Sequence, residues 1–313
     1  MAGCEHQHAE GHLRRRVIHR RQRQSWRVHR RTGETMTLLR STIGAIAISL
    51  LLASCSMDSF LFNAQPLDAY TLSDSVIPTT QVEPVTLASD GNTLHGFYVR
   101  QPDSLRIAPH YVVIYNHGNK HNINEYWDRV ELLYKAGFDV FMYDYRGFGR
   151  SEGAGSEQGL FADATAAYEF VRARADSDSL QIAVYGYSLG GVPASYQAVL
   201  ARDRCRALVM EACFASGEDL VRSGTLLDIP GSYLLDGAFD NAARMAEIQA
   251  PVMILHGQAD TYLGIERHGL KLFSAAHDPK VLVPVAGGAH NNVPYAMGVD
   301  DYLGRITAFI RGN

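Results

Sequence analysis

Gly186-Tyr187-Ser188-Leu189-Gly190 is the stretch of this 313-residue chain whose residue types and spacing most directly serve chemistry. It follows an apolar run, Gln181 to Tyr185, and precedes a helix-like run, Gly191 to Ala201. A serine placed on a tight strand-to-helix turn is held out on strained backbone, and glycines on either side let the flanking elements approach. A serine hydroxyl is a weak nucleophile, so it needs a base within hydrogen-bond reach and an acid to hold that base's tautomer. On such a turn the partners are expected in the chain order Ser, acid, His, each on a loop just past a strand. Asp260, in Leu255-His-Gly-Gln-Ala-Asp260, and His290, in Val285-Ala-Gly-Gly-Ala-His290-Asn-Asn, stand in those places. Glu211, at the end of the preceding strand, and Asp240 are the rival acids. His256 reads as buried at a strand end, His268 as part of a helix face and His277 as a loop residue, none of them placed as a base.

A tetrahedral intermediate carries an oxyanion that two backbone N–H groups must meet. The N–H of Leu189, next to the nucleophile, is one candidate. The loop Asn116-His117-Gly118-Asn119, after the strand His110 to Tyr115, supplies the other through the N–H of Asn119. His117 is expected to shape that loop. No CxxC or spaced His/Cys set suggests zinc, and this mechanism requires no metal or cofactor.

These groups need a frame, and the apolar pattern describes one. Val82 to Ala88 and Thr93 to Val99 flank the turn signature Asp90-Gly91-Asn92. Runs at His110–Tyr115, Asp139–Tyr143, Gln181–Tyr185, Ala207–Met210, Val252–Leu255 and Val281–Val285 read as buried strands. Most are separated by stretches long enough for helices, such as 122–136, stopped by Gly137, and 157–174, capped by Ser156. The pattern predicts one mostly parallel sheet of about eight strands with helices on both faces.

The segments Asn116-His-Gly-Asn119, Asp144-Tyr-Arg-Gly-Phe-Gly-Arg-Ser151, Gly186-Tyr-Ser-Leu-Gly-Gly191, His256-Gly-Gln-Ala-Asp260 and Gly288-Ala-His-Asn291 together resemble the α/β-hydrolase superfamily. The likeness is to its small-capped branch, called serine aminopeptidase-like or monoacylglycerol-lipase-like, which includes protein depalmitoylases. It extends from Val82 to the C-terminus and implies an α/β-hydrolase fold over 81–313 with a small cap at about 214–250. It also implies a serine hydrolase, with Ser188, His290 and Asp260 as nucleophile, base and orienting acid and the N–H groups of Asn119 and Leu189 as oxyanion donors. In that family the Asp144 to Ser151 loop is structural, so Asp144 and Arg146 are expected to brace it.

The amino terminus reads differently. Residues 1–35 hold nine Arg and only three acidic residues, leaving 20 basic against 30 acidic positions in the remainder. Such a basic stretch could contact nucleic acid, but it lacks periodicity, and Met36-Thr-Leu-Leu-Arg40 resembles a second start. The expectation is a non-native upstream extension over 1–35 and no nucleic-acid partner. After it come a charged start, an apolar run from Ile43 to Ala53 too short to span a bilayer, and Leu52-Ala53-Ser54-Cys55. The cysteine after Leu-Ala-Ser resembles a bacterial lipobox, so residues 36–54 are expected to be a signal peptide and Cys55 the lipid carrier. Residues 55–80 then read as a spacer. The resulting placement is lipid-anchored in the cell envelope, on the periplasmic face of the outer membrane.

The remaining cysteines are Cys205 and Cys213, and Cys213 is expected to be a buried free thiol. Between 214 and 250, Leu220, Val221, Leu226, Leu227, Ile229, Tyr233, Leu234, Leu235 and Phe239 could cover an acyl chain or merely pack a connecting helix. The leading expectation is a lipid-anchored esterase or thioesterase acting on a small acyl ester. The alternatives are a serine peptidase acting on short peptides and a non-catalytic surface lipoprotein. The composition, 46% hydrophobic and 20% charged, excludes a collagen-like, coiled-coil or wholly disordered chain.

Overall fold

Apolar residues on both faces of a strand require cover on both sides, and the fold supplies it. The computed structural model describes residues 61–106, 108–224, 235 and 237–312. The expected upstream extension and signal peptide, Cys55, and the expected cap positions Leu226, Leu227, Ile229, Tyr233 and Leu234 lie outside the described residues. The strands are β1 (Val82–Ser89), β2 (Asn92–Val99), β3 (Tyr111–Asn116), β4 (Asp139–Tyr143), β5 (Gln181–Tyr187), β6 (Cys205–Glu211), β7 (Val252–Gly257) and β8 (Lys280–Val285). They form one eight-stranded sheet in the order β1-β2-β4-β3-β5-β6-β7-β8. β2 is antiparallel to β1 and β4, and every later neighbour pair is parallel.

The helices are α1 (Trp127–Lys135), α2 (Glu157–Asp178), α3 (Gly191–Ala201), α4 (Gly217–Gly224), α5 (Asn241–Met245), α6 (Gly269–Ala275), α7 (Val293–Met297) and α8 (Val299–Arg311). Alternate residues of β3 serve opposite cores. Val112 and Ile114 join Leu160, Val171 and Val192 on the face of α2 and α3, while Val113 and Tyr115 join Val130, Leu133 and Ile306 on the face of α1 and α8. This two-sided burial explains why the central strands lack a polar alternation.

Local signals act where expected. Ser89 pairs with Asn92 across a two-residue turn in which Asp90 and Gly91 both have positive φ, matching the twist of a hairpin. The Ser156 hydroxyl accepts from the Gly159 N–H at 3.0 Å and starts α2, which continues through Asp178, beyond the Arg174 boundary suggested by its apolar pattern. The helix expected from Asn122 opens as a 3-10 turn, Ile123–Tyr126, before α1 begins. Cys205 and Cys213 are both buried and unpaired.

The largest departure concerns the spacer. Over 61–80 the chain is laid on the domain: Phe62 and Ile77 are buried, Ala64 bridges His121 and Pro66 bridges Gly149. The lack of periodicity concealed these anchors, because scattered apolar residues and a set of backbone hydrogen bonds suffice to dock a strap. No helix among the described residues is long and apolar enough to cross a membrane.

The loop after β4 is braced from within. Arg146 donates through its backbone N–H and its guanidinium to Asp163 at 2.8 Å each, and the Ser89 hydroxyl donates to the same fully buried carboxylate at 2.6 Å. Replacing Asp163 by Ala strands Arg146 as an uncompensated buried charge. Chemical denaturation of D163A is expected to show a loss of about 3–5 kcal/mol, the range for breaking a buried pair from one side.

Candidate active site

Parallel neighbours end on the same side of a sheet, which gathers their following loops. β3 and β5 pair from Tyr111↔Gln181 to Asn116↔Gly186, so the loop carrying Asn119 leaves the sheet beside the turn carrying Ser188. β7 and β8 pair through Gly257↔Val285, which sets the Asp260 loop beside the His290 loop. The last two loops are stitched directly by Gln258 N–H to Val285 O at 2.9 Å and Ala259 N–H to Gly288 O at 2.8 Å.

Ser188 has φ of +53°, a left-handed conformation rare outside glycine. The strain persists because the turn beyond it cannot relax. At Gly190 a Cβ would lie 2.0 Å from the Asn116 carbonyl oxygen, so the chain passes there with no space for a side chain. The Ser188 Oγ is 3.0 Å from His290 Nε2, and His290 Nδ1 is 2.7 Å from Asp260 Oδ2. A carboxylate facing Nδ1 requires the proton there, which leaves Nε2 as an acceptor toward Ser188. Asp260 Oδ1 accepts from the N–H groups of Tyr262 and Leu263 at 2.9 and 2.8 Å. Burial favours the neutral acid, yet the hydrogen bonds from His290 and Leu263 outweigh it and hold the Asp260 carboxyl below its usual range.

The rival groups are committed elsewhere. Glu211 lies fully buried among Tyr185, Tyr302 and Arg129, with the Tyr302 hydroxyl 2.8 Å and the Arg129 guanidinium 3.4 Å away. Asp240 caps α5 through the Ala243 N–H at 2.9 Å. His256 is buried at the end of β7, donates to Leu263 O at 2.6 Å, and is kept neutral by burial. His268 precedes α6 without capping it, accepting from Ala215 N–H at 3.2 Å and facing the Ser223 hydroxyl at 2.8 Å; burial pushes its pKa down to about 4. His277 is exposed and donates to Ala246 O at 2.9 Å. His117 stacks on Tyr145 with ring centroids 4.2 Å apart and donates to its neighbour's carbonyl, Gly118 O, at 2.8 Å. Asp144 accepts from Ile123 N–H at 2.9 Å and from the Tyr70 hydroxyl at 2.7 Å, a bracing role like that of Arg146.

Two cavities meet at Ser188. One, about 440 Å³, is lined largely by polar and charged side chains, including Asn63, Lys120, Glu125, Asp128, Arg129 and Asn291, with Tyr126, Tyr187 and Tyr262 among them. The other, about 160 Å³, is apolar and includes Leu61, Leu189, Phe214, Leu220 and Leu263. Asn119 borders both. Among the described residues no cluster of His, Cys, Asp or Glu could hold a metal. Several of these positions escaped sequence reasoning. Arg129 donates to Asn291 O at 2.9 Å from a helix 162 positions away, and no local pattern announces such a contact. Tyr187, which donates to Asn291 Oδ1 at 2.8 Å, sits in the serine motif itself, and its place beside Ser188 was the available signal.

A sheet of this strand order with a serine, histidine and acid on the loops past β5, β8 and β7 defines an α/β hydrolase. The chain belongs to that family: the family model described as alpha/beta hydrolase fold matches residues 111–244. It is 36% identical over 230 residues to "Uncharacterized protein YfhR" of Escherichia coli strain K12, covering 71% of this chain and 78% of that one. It is 30% identical over 227 residues to alpha/beta hydrolase domain-containing protein 17B of Xenopus laevis, covering 72% and 74%. Among solved structures it is similar to the Pyrococcus furiosus esterase Pf2001, with a TM-score of 0.64, 17% identity and coverage of 80% and 96%. It is likewise similar to Est1E of Butyrivibrio proteoclasticus, with a TM-score of 0.56, 19% identity and coverage of 73% and 96%. At such identities these two likenesses concern the fold.

Two outcomes follow from the site's geometry. In Gly190→Ala the added Cβ must displace the Asn116 backbone, and a shift of about 1 Å at a reacting group costs about 10²-fold; the rate of Ser188 modification by a fluorophosphonate should fall accordingly. Because the folded pKa of Asp260 is depressed, its stabilising contribution is complete above the unfolded value near 3.8 and is lost as pH falls through the lower folded value. The stability gap between the parent and Asp260→Asn, read from thermal melts across pH, should therefore close only below about pH 4.

Proposed function

We propose that this chain is a serine hydrolase that cleaves carboxylic esters or thioesters through an acyl-enzyme. Its support is the continuous hydrogen-bonded line from Ser188 Oγ to His290 Nε2 at 3.0 Å and from His290 Nδ1 to Asp260 at 2.7 Å. Ser188 Oγ attacks the carbonyl carbon as its proton passes to His290 Nε2, and Asp260 stabilises the imidazolium. The carbonyl oxygen, now an oxyanion, takes hydrogen bonds from the Asn119 and Leu189 N–H groups. Collapse breaks the bond to the alkoxide or thiolate, which leaves with the proton from His290. Water then repeats the sequence, His290 taking its proton, and releases the acid while restoring the serine.

The apolar cavity suits the acyl group and the polar cavity the leaving group, and no cofactor is required. Within the family this reading belongs with the small-capped, lipase-like branch. The lipobox-like Leu52-Ala53-Ser54-Cys55 supports a mature chain anchored by lipid on Cys55 in a bacterial envelope. Outer-membrane placement is part of the same proposal.

Intact mass after fluorophosphonate treatment tests the reaction. One adduct is expected, mapped to Ser188, absent in Ser188→Ala and formed at least about 10³-fold more slowly in His290→Ala; Asp260→Asn should lower ester turnover by about 10⁴-fold through the wrong histidine tautomer. A folded parent that acquires no adduct overturns the reading.

A further inference from the structure

The strap, described from Leu61 onward, is held in a way a passive linker does not need. Asn119 grips it with both ends of its carboxamide: Nδ2 donates to Leu61 O, and Oδ1 accepts from Asn63 N–H at 2.8 Å. Beside this clamp the two backbones pair. His121 N–H donates to Asn63 O and Gln65 N–H donates to His121 O, both at 3.0 Å. His121 itself has φ of +55°, a costly conformation for a non-glycine residue that this pairing holds in place. Further on, Gly149 N–H donates to Gln65 O at 3.2 Å and Leu67 N–H to Gly149 O at 3.0 Å. The Phe62 ring is seated against Phe148 and Phe239, with centroids 6.4 and 6.2 Å away. Residues 61–67 thus tie together the Asn119 loop, the loop after β4 and the downstream part of the cap, and their Leu61 and Asn63 wall the two cavities at Ser188.

An oxyanion donor acts by being oriented before the charge develops. The Asn119 peptide has no helix or strand to orient it, and the strap is what its side chain holds. We propose that residues 61–67 are a positioning and specificity element of the reaction, orienting the Asn119 N–H toward the oxyanion and setting through Leu61 the length of acyl group accepted. This rests on the esterase reading above. Phe62 and Leu61 are positioning and pocket residues, and neither exchanges a proton or bond with the substrate.

The test uses the purified protein and Phe62→Ala, Phe62→Leu, Asn119→Ala and Leu61→Ala on nitrophenyl esters of increasing acyl length. In Phe62→Ala, kcat is expected to fall about tenfold, less than the 10²–10³-fold of losing a donor outright. KM and the pH midpoint of kcat/KM should hardly move, because the triad is untouched. Asn119→Ala, which keeps its own N–H, should reproduce the loss in kcat, and Phe62→Leu should recover most of it. Leu61→Ala should shift preference toward longer acyl groups. Unchanged kcat in Phe62→Ala and Asn119→Ala, with proteolysis inside 61–67 showing the strap released, overturns the proposal, as does a loss accompanied by a shifted pH midpoint. Should Phe62→Ala fail to fold, Asn119→Ala and Phe62→Leu decide by the same readouts. A folded parent that hydrolyses no ester overturns the esterase reading itself, and the strap's role with it, whereas an active parent with indifferent variants overturns only the latter.

Discussion

The close passage of Gly190 against the Asn116 carbonyl is the constraint on which the site is built. It lets the turn after β5 fold tightly enough to hold Ser188 at positive φ, and it brings the loop after β3 within reach of the same point. A strained conformation survives only where its surroundings over-determine it. Here they do: β5 is the central strand, paired with β3 on one side and β6 on the other, and its residues from Ile182 to Tyr187 are all buried. The strain at one residue is therefore borne by a fully buried part of the sheet.

Around that turn, buried carboxylates sit among hydrogen-bonding partners. Asp260 accepts from His290 and two backbone N–H groups, Glu211 is surrounded by Arg129 and two tyrosines, and Asp163 is bound by Arg146 and Ser89. A buried charge with its partners in place rigidifies the loops that carry them, and one with a partner missing is costly. Arg129 links two of these regions, since its guanidinium faces Glu211 and also donates to the carbonyl next to His290. The histidine loop is thus held from the sheet interior as well as by the acid.

Much of this was legible in the chain itself. Short apolar runs located β3 to β8, the central ones because strands buried on both faces must be apolar throughout, while the Asp90-Gly91-Asn92 turn between two strand-like segments marked β1 and β2. The serine, acid and histidine were legible because each stands just past one of those runs. The rival acids were harder to dismiss: Glu211 occupies a strand end as Asp260 does, and only the placement of Arg129, Tyr185 and Tyr302 around it shows where its charge is met. The strap was misread for a related reason. Residues 61–80 mix polar and apolar positions without a period, and their attachment runs through backbone groups and scattered side chains such as Phe62, Tyr70 and Ile77, none of which leaves a periodic trace.

What the amino-acid sequence determined by itself is the order of elements and the residue types at their ends, since hydrophobic periodicity and turn residues act over a few positions. What only the tertiary structure decided is which loops meet. The 2.7 Å contact of His290 with Asp260, the polar and apolar cavities flanking Ser188, and the grip of Asn119 on the strap all join residues 30 or more positions apart. Such meetings depend on strand order, and strand order is set by how the whole sheet buries its two faces, a property that no local stretch of chain contains.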